Sequence, residues 1–112
     1  MSTEIKKIKL MLDYMQGPIW ISDVETGEPL TGISIVDSDC ILPNLNKQCC
    51  ELYSNCYEFN THEKACYFNK ERAMESKDRL IYLIEQIKNR LSEINDGSFV
   101  VEDTATPYLT DL

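Results

Sequence analysis

Ile8-Lys9-Leu10-Met11-Leu12-Asp13-Tyr14 is the stretch whose reading decides the fold. Ile8, Leu10, Leu12 and Tyr14 recur at every second residue, the period that sends side chains to one face of a strand. Met11 makes the other face partly apolar, so a helix over 3–16 competes with this reading, and the period-2 match favours the strand. Gly17-Pro18 then breaks the element. At the far end of the chain Ser98-Phe99-Val100-Val101-Glu102 is β-prone and is expected to be a second strand. Two apolar strands at opposite ends of the chain need a partner and a cover, and the residues between them must supply both.

Those residues are mostly helical in pattern. Leu45, Cys49, Leu52, Cys56 and Phe59 recur at steps of four and three and predict one apolar helical stripe, with Pro43 or Asn44 in its first turn. Asn60 and Glu63 have the spacing of a capping box between two helices. The strongest pattern opens near Asn69 and runs to about Asn95, with Ala73, Leu80, Leu83, Ile84, Ile87, Leu91 and Ile94 on one face and Asp96-Gly97 as its stop. The expectation is a small single-domain α+β fold over residues 1–112. Its first and last strands lie side by side, possible as a parallel pair because two helices form the crossover. A helical hairpin covers one face, with Leu80, Ile84, Ile87 and Leu91 against Leu10, Leu12 and Val100. Ile19-Trp20-Ile21, an acidic turn over 23–29 and Gly32-Ile33-Ser34-Ile35-Val36 read as a short hairpin or an ordered loop, with Trp20 a core plug. The tail from Thr104 reads as irregular.

At 112 residues and 43% hydrophobic content the chain is long enough to bury a modest core. No apolar run reaches the ~18–20 residues that span a bilayer. Nothing in the N-terminal residues resembles an export signal, so a reducing cytoplasmic location is expected. That reading makes the five cysteines, Cys40, Cys49, Cys50, Cys56 and Cys66, free core or near-core thiols rather than disulfides.

The net charge of −8 is unevenly spread. From Leu10 to Asn46 there are six acids and no Lys or Arg, and after Arg90 there are five more acids and no base. Residues 47–90 are nearly balanced. Such a surface repels a phosphate backbone and attracts a basic protein, so no direct nucleic-acid contact is expected. If the first and last strands are neighbours, Asp23, Glu25, Glu28, Asp37 and Asp39 share one side with Glu102 and Asp103. On this reading the seven acids form a partner-binding face with Asp37 and Asp39 at its centre, and substituting those two leaves the fold intact.

Catalytic chemistry finds little support. His62 is the only histidine, and a Cys–His pair with Cys66 lacks an orienting third group. Cys49, Cys50, Cys56, His62 and Cys66 are close in sequence but contain no Cys-x-x-Cys pair, so zinc is not expected. No phosphate-binding glycine loop, nucleophile elbow or zinc-protease motif occurs. The chain reads as a monomeric binding protein with neither a catalytic site nor a cofactor.

An apolar strand ending in Asp13-Tyr14, then Pro18-Ile19-Trp20, an acidic turn with Gly27, two helices, and a closing Asp96-Gly97-Ser98-Phe99-Val100-Val101 strand form a familiar order. It resembles a group of small bacterial proteins that includes immunity proteins of contact-dependent growth inhibition systems. The resemblance implies a cytoplasmic inhibitor that binds the toxic C-terminal domain of a delivered effector, often a nuclease that cleaves RNA or DNA. An acidic adaptor or nucleic-acid mimic that binds a basic host protein is the competing reading, and a zinc or redox protein using the cysteines is a third. Elemental analysis of the purified protein is expected to find no stoichiometric metal, and a chelator should leave its helical circular dichroism unchanged. One equivalent of zinc, or helicity lost on chelation, contradicts this.

Overall fold

A computed structural model describes residues 5–13, 17–23, 25–60 and 65–111. The alternation in the opening stretch is expressed as strand β1, Lys6–Leu10, in which Ile8 and Leu10 are fully buried while Lys7 and Lys9 are exposed. It pairs antiparallel with β2, Ile19–Trp20, through Lys9↔Trp20 and Leu10↔Ile19. On its other side it runs parallel to β5, Phe99–Asp103, from Lys6↔Phe99 to Leu10↔Asp103. The sheet order is thus β2-β1-β5, with the first and last strands adjacent as the sequence predicts. Beyond the paired residues, Thr104 closes the ladder, its backbone N and its hydroxyl both donating to the Leu10 carbonyl at 2.9 and 2.6 Å. Tyr14 lies outside the described residues.

A parallel pair cannot be joined by a tight turn, and helices α2, Leu42–Ser54, and α3, Lys70–Ile94, form the crossover. Asn69 caps α3 by accepting from the Arg72 amide at 3.0 Å. Ala73, Leu80, Leu83, Ile84, Ile87 and Leu91 are its buried residues, and all but Ala73 share one core cluster with Ile8, Leu10, Ile19 and Phe99. After Ile94 the side chains of Asn95 and Asp96 accept from the amides of Gly97 and Ser98, and Gly97 takes φ 93°. Those turns reverse the chain into β5.

Four expectations need correction. Val100 does not face the helices: it is 48% exposed, and Phe99 is the buried residue at 1%. Pairing sets Val100 beside outward-facing Lys7, and a one-residue slip in register exchanges every side chain between faces. Secondly, α2 stops at Ser54, and Tyr57–Asn60 is a strand, β3, paired antiparallel with β4, Ala65–Phe68. The expected helical hairpin is therefore interrupted by a β-hairpin. Residues 61–64, His62 among them, lie outside the described residues. The root of this β-hairpin is pinned by aromatic packing: Tyr53 sits 5.7 Å from Tyr57, 5.9 Å from Phe68 and 6.3 Å from Tyr108, ring centre to ring centre.

Thirdly, Gly32–Val36 is no strand. Ser34–Asp37 forms a single helical turn, α1, because the Asp37 carboxylate accepts from the Thr31 amide, the Thr31 hydroxyl and the Gly32 amide at 2.8–2.9 Å. Val36 is buried within it. Finally, the tail folds into a short helix, α4, Ala105–Thr110, because Asp103 accepts from the amides of Ala105 and Thr106 at 3.0 and 2.9 Å. Pro107 falls in its first turn, where a missing N–H costs nothing.

The result is an α+β fold with one side of the sheet against the helices. Among the described residues no helix is long and apolar enough to cross a membrane. Ile87 is fully buried against this core, so Ile87→Ala is expected to cost about 2–4 kcal/mol in urea denaturation. A loss below about half a kcal/mol would contradict the assigned core face.

Candidate functional site

Past β2 the chain leaves the sheet as a narrow ribbon. The Leu30 amide donates to the Ile21 carbonyl at 2.8 Å, Ser22 bridges Pro29, and the Asp23 amide donates to the Glu28 carbonyl at 2.9 Å. Alternation sets its two sides. Ser22 and Pro29 are buried, while the Ile21–Leu30 pair is 50% and 55% exposed and Glu28 is exposed beside it. At the turn the Asp23 carboxylate accepts from the amides of Glu25 and Thr26 at 2.8 and 3.0 Å, and Gly27 closes it with φ 77°. The amides of Thr26 and Glu25 hold the Asp23 carboxyl below its ordinary value.

One buried side chain clamps the inner side of this ribbon. Asn46 of α2 is fully buried. Its Oδ1 accepts from the Ile19 amide at 3.1 Å, and its Nδ2 donates to the Ser22 hydroxyl at 2.7 Å and the Gly27 carbonyl at 2.8 Å. The Ser22 hydroxyl in turn donates to the Ile19 carbonyl. Both amide hydrogens and the carbonyl oxygen of Asn46 are thereby used, as burial of an amide demands. Gly17 is the counterpart: a Cβ there would overlap the side-chain amide of Asn46, so only glycine admits the clamp. Gly27 likewise has no room, since a Cβ would meet the Pro43 carbonyl at 2.5 Å.

The structure divides the seven expected site acids. Asp23, Glu25 and Glu28 are brought together on the ribbon. Asp37 is turned back onto the amides of Thr31 and Gly32, just ahead of α1. The Asp39 side chain is only 4% exposed, gripped by Arg90 through Nε and Nη2, and it accepts from the Ile41 and Leu42 amides that open α2. Glu102 and Asp103 point to opposite faces of the sheet. Glu102 pairs with Lys7 at 3.1 Å, and Asp103 pairs with Lys88 at 3.1 Å from the helix side. The expected single acidic side is not built, because β1, which carries Lys6, Lys7 and Lys9, lies between the two base-free segments. Asp37 and Asp39 are parts of the scaffold, so substituting them would damage it.

Cys49, Cys50 and Cys56 are buried and Cys40 is exposed; burial pushes the Cys49 thiol up to about 12. Among the described residues no group of three or more His, Cys, Asp and Glu is placed to hold a metal. Neither a protein-family model, nor a curated protein, nor a solved structure matches the chain.

Two outcomes follow. Asn46→Leu leaves the Ile19 amide and the Gly27 carbonyl unpaired and should cost about 3 kcal/mol or more in denaturant titrations; a neutral result contradicts the clamp. The Arg90 hydrogen bonds, joined by the Leu42 and Ile41 amides, hold the Asp39 carboxyl below its ordinary 3.8. The folded state therefore gains from ionised Asp39 at every pH above that value and loses the gain as pH falls through the depressed one. Asp39→Asn should be about 2 kcal/mol less stable than the native chain at pH 7, and the gap should close in strong acid. A gap independent of pH contradicts this.

Proposed function

We propose that this chain is an immunity protein that binds and neutralises a toxin domain of a contact-dependent growth inhibition system, with a nuclease as the toxin. The observation that supports this best is the acidic ribbon, fixed from within by Asn46, on a chain of net charge −8. A nuclease must attract phosphates, so its substrate cleft is basic. Glu25 and Glu28, exposed at the end of the ribbon, are charges such a cleft attracts. Because the clamp orders the ribbon before contact, little conformational entropy is lost on docking. The excess negative charge of the whole chain steers encounter with a basic partner and is screened by salt. The sequence resemblance points to the same class.

Within this reading Asp23, Glu25 and Glu28 meet the partner, and Glu102, paired with Lys7 beyond β1, stands apart from them. Asp37, Asp39 and Asp103 act indirectly, by holding α1, α2 and α4. The partner is the C-terminal domain of a large effector encoded next to this chain. The test is to express the C-terminal domain of the adjacent upstream gene product and measure its binding and its toxicity with and without this protein. Tight binding and protection are expected, with Glu25→Lys/Glu28→Lys slowing association by about tenfold or more at low salt and leaving the melting temperature unchanged. Association unaffected by the double substitution at low salt would overturn the acidic contact.

A further inference from the structure

Resting on that reading, we propose that the contact is centred on the Ile21–Leu30 pair and that the acids form its rim, so the toxin surface it fits is a basic one with an apolar centre. Exposed apolar side chains are ordinary when single, and Ile5, Ile41, Met74, Val100 and Tyr108 fall on separate segments of the chain. Tyr82 is also exposed, but the Arg79 guanidinium lies over its ring at 5.1 Å. Ile21 and Leu30 differ. They are directly opposed across the ribbon, joined by the Leu30 amide to the Ile21 carbonyl, and both face outward while their neighbours Ser22 and Pro29 are buried. Neither side chain is among the buried core residues.

The occupant follows from what surrounds the pair. Asp23 and Glu28 form the next cross-strand pair on the same side, and Glu25 stands at the turn beyond them. An apolar centre with acids on its turn side, and Lys6 at the Gly32 carbonyl on its other side, is the pattern of a protein interface whose core excludes water and whose rim selects charge. A lipid surface or a second copy fits less well. Anionic headgroups are repelled by the rim, and in a second copy the same rim would face itself.

Apolar centre and charged rim act on different steps. The rim governs the rate of encounter and its dependence on salt, whereas the centre governs how long the complex lasts. Ile21→Ser/Leu30→Ser should shorten the lifetime of the complex with the upstream-encoded C-terminal domain by about 30-fold, and by the same factor at low and at high salt. Glu25→Lys/Glu28→Lys should instead change association and flatten its salt dependence. Leu30→Gln alone, at a position 55% exposed and outside the buried core, serves as a second probe and should lose about fivefold or more in lifetime at an unchanged melting temperature. If the native chain binds and both apolar variants dissociate at the native rate, the apolar centre is wrong and the immunity reading stands. Failure of the native chain itself to bind that domain overturns the immunity reading and this inference together.

Discussion

The parallel register that sets Lys6 opposite Phe99 and Leu10 opposite Asp103 ties the two ends of the chain into one sheet, and the rest of the molecule is arranged to permit it. Parallel neighbours need a long connection, so everything between β2 and β5 becomes crossover. The inner faces of the two strands, Ile8, Leu10 and Phe99, need cover, which the apolar stripe of α3 provides. The ladder is locked at its end by Thr104, whose two donors reach the Leu10 carbonyl. Immediately before it, Asp103 starts α4 and fastens it to α3 through Lys88. The central position of β1 also sets the electrostatics, because its lysines lie between the acids of the ribbon and those of β5.

The proposed contact hangs on a second and smaller device. The ribbon after β2 has no sheet of its own to lean on. Asn46 replaces that support with three hydrogen bonds from a single buried amide; Gly17 leaves the space it needs, and Gly27 lets the turn sit close against Pro43 and Lys47 of α2. A ribbon held from its inner side leaves its outer side free, and that side carries Ile21, Leu30 and the acids. The Asp39–Arg90 pair does related work at the start of α2, the helix that carries Asn46, by fastening it to α3.

Much of the fold was legible because it is written in periodicity. Ile8 and Leu10 mark β1 by alternation, and Leu80, Ile84, Ile87 and Leu91 mark the core face of α3. What escaped depends on pairing between distant residues. Phe99-Val100-Val101 is apolar throughout, so alternation is silent and only the register against β1 decides which residue is buried. Cys56 and Phe59 continue the period of α2, yet Tyr57-Glu58-Phe59-Asn60 also suits a strand, and its pairing with 65–68 decides. The acids were counted correctly, but their use was not visible. Asp39 and Arg90 are 51 residues apart, and Asp37 and Asp103 bind backbone amides that no charge count includes. Asn46 left one faint signal, a polar residue four places from Leu42 and seven from Tyr53 on the buried side of α2.

A preordered ribbon, and not the helices, is what meets the toxin domain if the proposed contact is right. Amide hydrogen exchange of the chain, alone and with the upstream-encoded C-terminal domain, tests this directly. In the free protein the Ile19 and Leu30 amides should already exchange slowly, as expected of a ribbon that is ordered before contact. Addition of the domain should slow exchange further across residues 21–30, including the Glu25 amide at the turn, while the outer surfaces of α2 and α3 remain unchanged. New protection confined to α2 and α3, with residues 21–30 exchanging as in the free chain, would contradict a contact made by the ribbon.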